Sequence, residues 1–218
     1  MIYISKITEA VLRQLQTQIK MKLASHNSFS YLPARQWWLK PFAFTARCQR
    51  DDIGLQEYNG VHLFDLRVRF DKYGNPIICH GLIEYKHSSD FVYKWLRILN
   101  TGRNTMRVVL ETNKPNNEQE DMFRKFCEFI AFNYRKIHFF GGNNRADWNC
   151  KNPIYDFGNP LEDIDHKYSS TTSLFPEKYK WLRYIDDLCP IFYARRYNKK
   201  NIEAGTTHKW LMIDFIGL

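Results

Sequence analysis

A Cys-x-x-Cys pair is absent from this chain, and its five cysteines, Cys48, Cys79, Cys127, Cys150 and Cys189, are odd in number and far apart. That spacing indicates neither a disulfide framework nor a zinc site, and buried free thiols are expected. No apolar run is long enough to span a bilayer. Lys6, Glu9, Arg13 and Gln16 interrupt the start of the chain where a signal peptide needs an unbroken apolar stretch. A soluble protein of cytoplasmic or other intracellular location is expected, with secretion after leader removal left open. No linker rich in Pro, Gly and Ser, no internal repeat and no low-complexity tract divides the 218 residues, a length that suits one domain around one core. Acidic residues are in deficit: 23 Asp and Glu face 32 Lys and Arg, for a formal charge of +9. The sign favours an anionic partner: a phosphoryl substrate, an acidic membrane surface or nucleic acid. Nucleic acid ranks third, because the cations are scattered, only Arg195-Arg196 and Lys199-Lys200 cluster, and no recognised binding motif is present.

Ile7, Val11, Leu12, Leu15 and Ile19 recur at helical spacing, so residues 6 to 20 read as an amphipathic helix. Val61, Leu63, Leu66 and Val68 form a mostly apolar run that ends in charge, which suits a strand buried on both sides. Ile77 to Cys79 follow the turn signal Tyr73-Gly74-Asn75-Pro76 as a second strand. Further strands are expected at Met106 to Glu111, Ile137 to Phe140 and Leu211 to Ile216, and helices at 88 to 99, 117 to 134 and 177 to 187. Residues 141 to 175 are rich in Asn, Gly, Pro, Asp and Ser and read as loops over one face. Strands alternating with helices indicate an α/β fold with a mainly parallel sheet, whose chemistry belongs at the carboxyl ends of the strands.

Two histidines, His26 and His80, bracket the strand run at 61 to 68, with Arg67 between them. An imidazole changes charge near neutral pH, so one can accept a proton from an attacking hydroxyl while the other gives one to a leaving oxygen. The permanently charged, planar guanidinium of Arg67 suits two non-bridging phosphate oxygens. Together they make a kit for cleaving a phosphodiester without a metal. His62, His87, His138, His166 and His208 lack such a context and read as core or surface histidines.

Ser25-His26-Asn27-Ser28, Gly60-Val61-His62-Leu63-Phe64-Asp65-Leu66-Arg67-Val68 and Cys79-His80-Gly81, in that order, resemble the X region of the phosphatidylinositol-specific phospholipase C superfamily. The resemblance covers residues 20 to 85, extends loosely to 107 to 113, and reaches the last strand through Asp214 alone. It implies a single distorted, compact (β/α) barrel of the TIM type over residues 1 to 218, with helices lost or shortened. It implies His26 as general base, His80 as general acid and Asp214 as the carboxylate that orients His26. Animal members place an acidic calcium ligand where Arg67 stands and bacterial members an arginine, so no metal and no cofactor are implied. Asp65, two residues before Arg67 and so on the same strand face, is expected to pair with it or to orient His80. Asn27 departs from the aspartate of bacterial relatives and is a candidate phosphate donor. Glu111 is a second acidic candidate at the barrel mouth. Trp37 and Trp38, flanked by Arg35 and Lys40, suit a membrane interface, one exposed and one buried. The implied substrate is an inositol phospholipid or related anionic lipid, met by peripheral membrane contact. The rival readings are a catalytically silent barrel that binds phosphoinositide or protein, and a phosphodiesterase for glycerophosphodiesters or nucleotides.

Overall fold

A computed structural model describes residues 22–112, 115–142, 155, 157, 163–168 and 189–218. At its centre lies β2 (Val61–Phe70), in which all residues except His62 and Arg69 are buried. Its first residues pair in parallel with β1 (Lys22–Ser25), with Leu23 opposite Val61. Its middle pairs in parallel with β5 (Thr105–Leu110), which places Arg107 opposite Asp65. Its end turns back on β3 (Pro76–His80), antiparallel, with Val68 opposite Ile78. The turn between them is tied by Asp71, whose carboxylate accepts from the backbone N–H groups of Tyr73 and Asn75 at 2.8 and 2.9 Å. Gly74 takes the left-handed φ of 82° that this turn requires. A two-residue β4 (Ile83–Glu84) completes the hairpin.

The sheet continues through β6 (His138–Gly142), β7 (Ile164–Lys167) and β8 (Trp210–Ile213). The order β7-β8-β1-β2-β5-β6 is parallel throughout. Among the described residues β6 and β7 are the two ends of this ladder and no pairing joins them. Among the described residues the fold is therefore a mixed α/β one with an eight-stranded sheet whose two ends are not paired.

Alternation along the strands sorts side chains into two clusters. Leu23, Phe64, Leu66, Leu211 and Ile213 face the helix-covered core. Ala24, Leu63, Trp210 and Met212 face the other way, with Ile164 and Tyr168. Asp65 and Arg67 follow Leu63 at steps of two and so share this second face. Gly141, on β6, has no room for a side chain: a Cβ there would meet the Val108 carbonyl oxygen at 2.7 Å.

The helices form for local reasons. α1 (Ile53–Tyr58) is capped by Asp52, which accepts from Leu55 N–H at 2.9 Å. α2 (Phe91–Leu99) buries Val92, Leu96 and Leu99, one stripe at helical spacing. α3 (Asn117–Asn133) has Asn116 as its cap, Glu118 and Glu120 in its first turn, and a stripe of Phe123, Phe126, Cys127 and Ile130. Truncating a fully buried side chain such as Ile130 to Ala would cost about 2–5 kcal/mol. α4 (Pro190–Ala204) begins with proline and buries Tyr193, Ala194 and Asn198.

The helices expected at 6 to 20 and 177 to 187 lie outside the described residues. Within the stretch read as loops, Ile164–Lys167 forms β7. Three of its four residues are polar and only half-buried, so no apolar run announces it. Cys48, Cys79 and Cys127 are buried free thiols and Cys189 is half-buried. Cys150 lies outside the described residues.

Candidate active site

The carboxyl ends of the parallel strands, where such folds place their chemistry, gather the residues picked out in the sequence. His26 follows β1, Arg67 lies late in β2, Glu111 follows β5 and Asp214 follows β8, while His80 ends β3. The chain leaves β1 through Asn27, which adopts a left-handed φ of 42°. Its N–H donates to Asp65 Oδ2 at 3.0 Å, and Ser28 bonds the Asp65 backbone, its hydroxyl accepting from Asp65 N–H at 2.7 Å. The His26 turn is thereby pinned onto β2.

His26 Nδ1 lies 2.7 Å from Asp214 Oδ1, both residues being buried. Donation of Nδ1–H to that carboxylate leaves Nε2 with a free lone pair. Burial, reinforced by the positive charges of Arg67, His80 and Arg107, holds the His26 pKa well below the usual imidazole value. His80 stands edge-on to His26, ring centroids 5.6 Å apart. Its Nδ1 is 3.0 Å from the Ala46 carbonyl oxygen, which fixes the ring with Nε2 available. Burial and Arg67 lower its pKa too, against opposing pulls from Glu111, the Ala46 bond and Asp65.

Arg67 is clamped by two carboxylates: Nε donates to Asp65 Oδ2 at 2.8 Å and Nη1 to Glu111 Oε2 at 3.3 Å. Burial pushes the Asp65 carboxyl up, but Arg67 and Arg107 outweigh it and bring its pKa to about 2. Glu111 also accepts from Gly81 N–H at 3.1 Å, so one carboxylate ties the guanidinium to the residue after His80. Asp65 is engaged by Asn27, Arg67 and Arg107, and the Ala46 carbonyl is what meets His80 Nδ1. Of the two roles expected of Asp65, pairing with Arg67 is therefore the one seen, and orienting His80 is not. Asn27 is fully buried and its side-chain amide points at the Ala46 oxygen, 3.4 Å away.

His26, Cys48 and His80 line a cavity of about 410 Å³ walled by Phe42, Ala46 and Leu82. Arg67 is not among the residues that line this cavity and is only 3% exposed. A second cavity of about 420 Å³, lined by Arg35, Lys40, Asp71, Lys86 and His87, holds no such pair of proton carriers. Trp37 and Trp38 are both exposed, at 74% and 58%, beside exposed Phe42 and Phe44. The expectation of one buried tryptophan fails because the 3₁₀ segment Trp37–Thr45, which contains Pro41, has no buried residue.

Other residues complete the site without having been singled out. Tyr168 stacks on His26. Gln49 donates to the carbonyls of His26 and Ile213 and accepts from Ile216 N–H. Asn198 donates to the Asp214 carbonyl at 2.7 Å. Only Arg107 had a sequence signal, that of an arginine inside an apolar strand run, the same signal that marks Arg67.

No family model matches this sequence, and no curated protein matches it either. Solved structures do. The phosphatidylinositol-specific phospholipase C of Listeria monocytogenes superposes with a TM-score of 0.56 at 16% identity, over 90% of this chain and 88% of that one. That of Staphylococcus aureus gives 0.58 at 15% identity, over 90% and 86%. The chain thus has the fold of the bacterial phosphatidylinositol-specific phospholipases C.

Proposed function

We propose that this protein is a metal-independent phosphodiesterase of the phosphatidylinositol-specific phospholipase C type, its strands forming a distorted (β/α) barrel. The observation that carries the reading is the buried Asp214–His26 pair facing His80 across a cavity, on this fold. His26 Nε2 takes the proton of a substrate hydroxyl adjacent to the phosphodiester, and Asp214 holds the ring and offsets the imidazolium charge, as the carboxylate of a triad does. The hydroxyl oxygen attacks phosphorus, a cyclic phosphodiester forms, and the bond to the departing alcohol breaks. His80 gives that alcohol its proton. Burial lowers the pKa of both imidazoles, which favours the neutral form that the base requires. The acid gains its proton when an anionic phosphodiester arrives beside it. Arg67, held in place by Asp65 and Glu111, supplies the positive charge that a metal would otherwise bring. Exposed Trp37 and Trp38 suit contact with the lipid surface that presents an inositol phospholipid.

The test is incubation with a panel of phosphodiesters in EDTA, followed by phosphorus NMR. A cyclic phosphate product from phosphatidylinositol is expected. Turnover that vanishes in EDTA and returns with calcium would overturn metal independence, and no cleavage of any diester would favour a binding protein.

A further inference from the structure

Cys48 has no part in the reaction proposed above, yet it shares the cavity with both imidazoles. Its Sγ lies 3.8 Å from His80 Nδ1, and the residue is 1% exposed. One donor atom each from His26, Cys48 and His80 falls within 4.8 Å of the others. Among the described residues no second group of His, Cys, Asp and Glu meets that spacing.

Two imidazole nitrogens and one sulfur are the donors of Zn²⁺ and similar borderline-soft divalent ions, whereas Ca²⁺ and Mg²⁺ require oxygen. Zn–N of about 2.0 Å and Zn–S of about 2.3 Å put tetrahedral ligands roughly 3.5 Å apart, so side-chain shifts of about 1 Å would close the set. The cavity leaves the fourth position to water or a phosphate oxygen. Asp214, 2.7 Å from His26 Nδ1, is placed as the carboxylate that commonly backs a ligating histidine. Asp65 and Glu111 offset the cations Arg67 and Arg107 nearby. On binding, the Cys48 thiol gives its proton to solvent, and the ion adds one net positive charge to the site.

We propose that His26, Cys48 and His80 form a binding site for zinc-class ions which, when filled, occupies both imidazoles and stops the phosphodiester chemistry. The inhibition rests on the functional reading above; the binding does not. The test is titration of Co²⁺ into the chelator-stripped full chain. One equivalent should produce a thiolate-to-cobalt charge-transfer band, and Zn²⁺ should displace it. Cys48→Ala should abolish the band and weaken zinc binding at least about tenfold, while Cys150→Ser and Cys189→Ser keep both. Should Cys48→Ala fail to fold, X-ray absorption of the zinc-loaded native chain should show one sulfur with nitrogen ligands. A missing band, a band that survives Cys48→Ala, or a zinc shell without sulfur would overturn the site. Because this readout needs no turnover, a protein that shows the band but cleaves no diester would refute the phosphodiesterase and leave the metal site standing.

Discussion

The Tyr168 ring lies flat on the His26 imidazole, centroids 3.7 Å apart and planes within 3° of parallel. One face of this imidazole is thereby sealed from water. Removing the ring should rehydrate His26 and raise its pKa toward the ordinary value, since burial is the main cause of its depression. In Tyr168→Ala the acid limb of the kcat/KM profile should move to higher pH, while Tyr168→Phe leaves it in place. Titration of the His26 imidazole by NMR checks this, and an unmoved pKa in the alanine variant would count against it.

The two histidines should give a bell-shaped pH dependence, with the rate lost at low pH as His26 gains a proton and at high pH as His80 loses one. Both pKa values are lowered, so the bell for kcat/KM should lie on the acid side of neutrality. That for kcat should extend further toward alkaline pH, because bound phosphate favours protonated His80. His80→Ala should cost about 10²-fold or more with an alkyl leaving group and far less with an activated aryl one, which departs without a proton. Equal losses on both substrates would remove His80 from the acid role.

Arg67→Lys keeps the charge and loses the fork that spans Asp65 and Glu111. We expect kcat to fall by more than about tenfold, which corresponds to about 1.4 kcal/mol of transition-state stabilisation. Thermal melting should also show a loss of stability, because a buried carboxylate is left less well paired. A variant with native kcat would place the guanidinium away from the phosphate.

Asp65, with a folded-state pKa of about 2 against an ordinary 3.8, contributes stability that is present above pH 4 and lost as the pH falls toward 2. The size is about 2.4 kcal/mol, from 1.36 kcal/mol per pH unit. Asp65→Asn should therefore be less stable than the native chain at pH 7, and the gap should narrow on acidification. Urea unfolding at several pH values measures it; a gap that stays constant down to pH 2 would contradict the assignment.

Double replacement of Trp37 and Trp38 by Ala should weaken binding to anionic vesicles while sparing cleavage of a water-soluble diester, because neither ring is part of the core. Vesicle sedimentation beside a soluble-substrate assay separates the two effects.

Part of the site was legible because some of its residues violate their surroundings, while His26 and His80 were marked by their motifs. Arg67 and Asp214 are charges in apolar strand runs, and a charge so placed must be paired or used. The strands around them could be read for the same reason, since a strand buried on both sides leaves an uninterrupted apolar signature. What stayed hidden depends on distant segments meeting. Gln49 and Asn198 are ordinary polar residues until the fold carries them to the backbone of His26 and Asp214. Tyr168 follows a short, mostly polar strand with no periodicity to read. The partner of His80 is a backbone carbonyl, which no side chain could announce.

The two histidines are anchored to parts of the sheet that differ in connectivity. His26 leaves a strand held on both sides by β2 and β8, while His80 ends a strand whose outer neighbour is only two residues long. Mild denaturant or heat should therefore open the hairpin first and carry His80 away while His26 stays seated. If His26 and His80 play the roles proposed for them, such a partly opened molecule would still cleave esters with good leaving groups after losing those that need a proton. Change of leaving-group preference on heating would then report local unfolding before any spectroscopic melt.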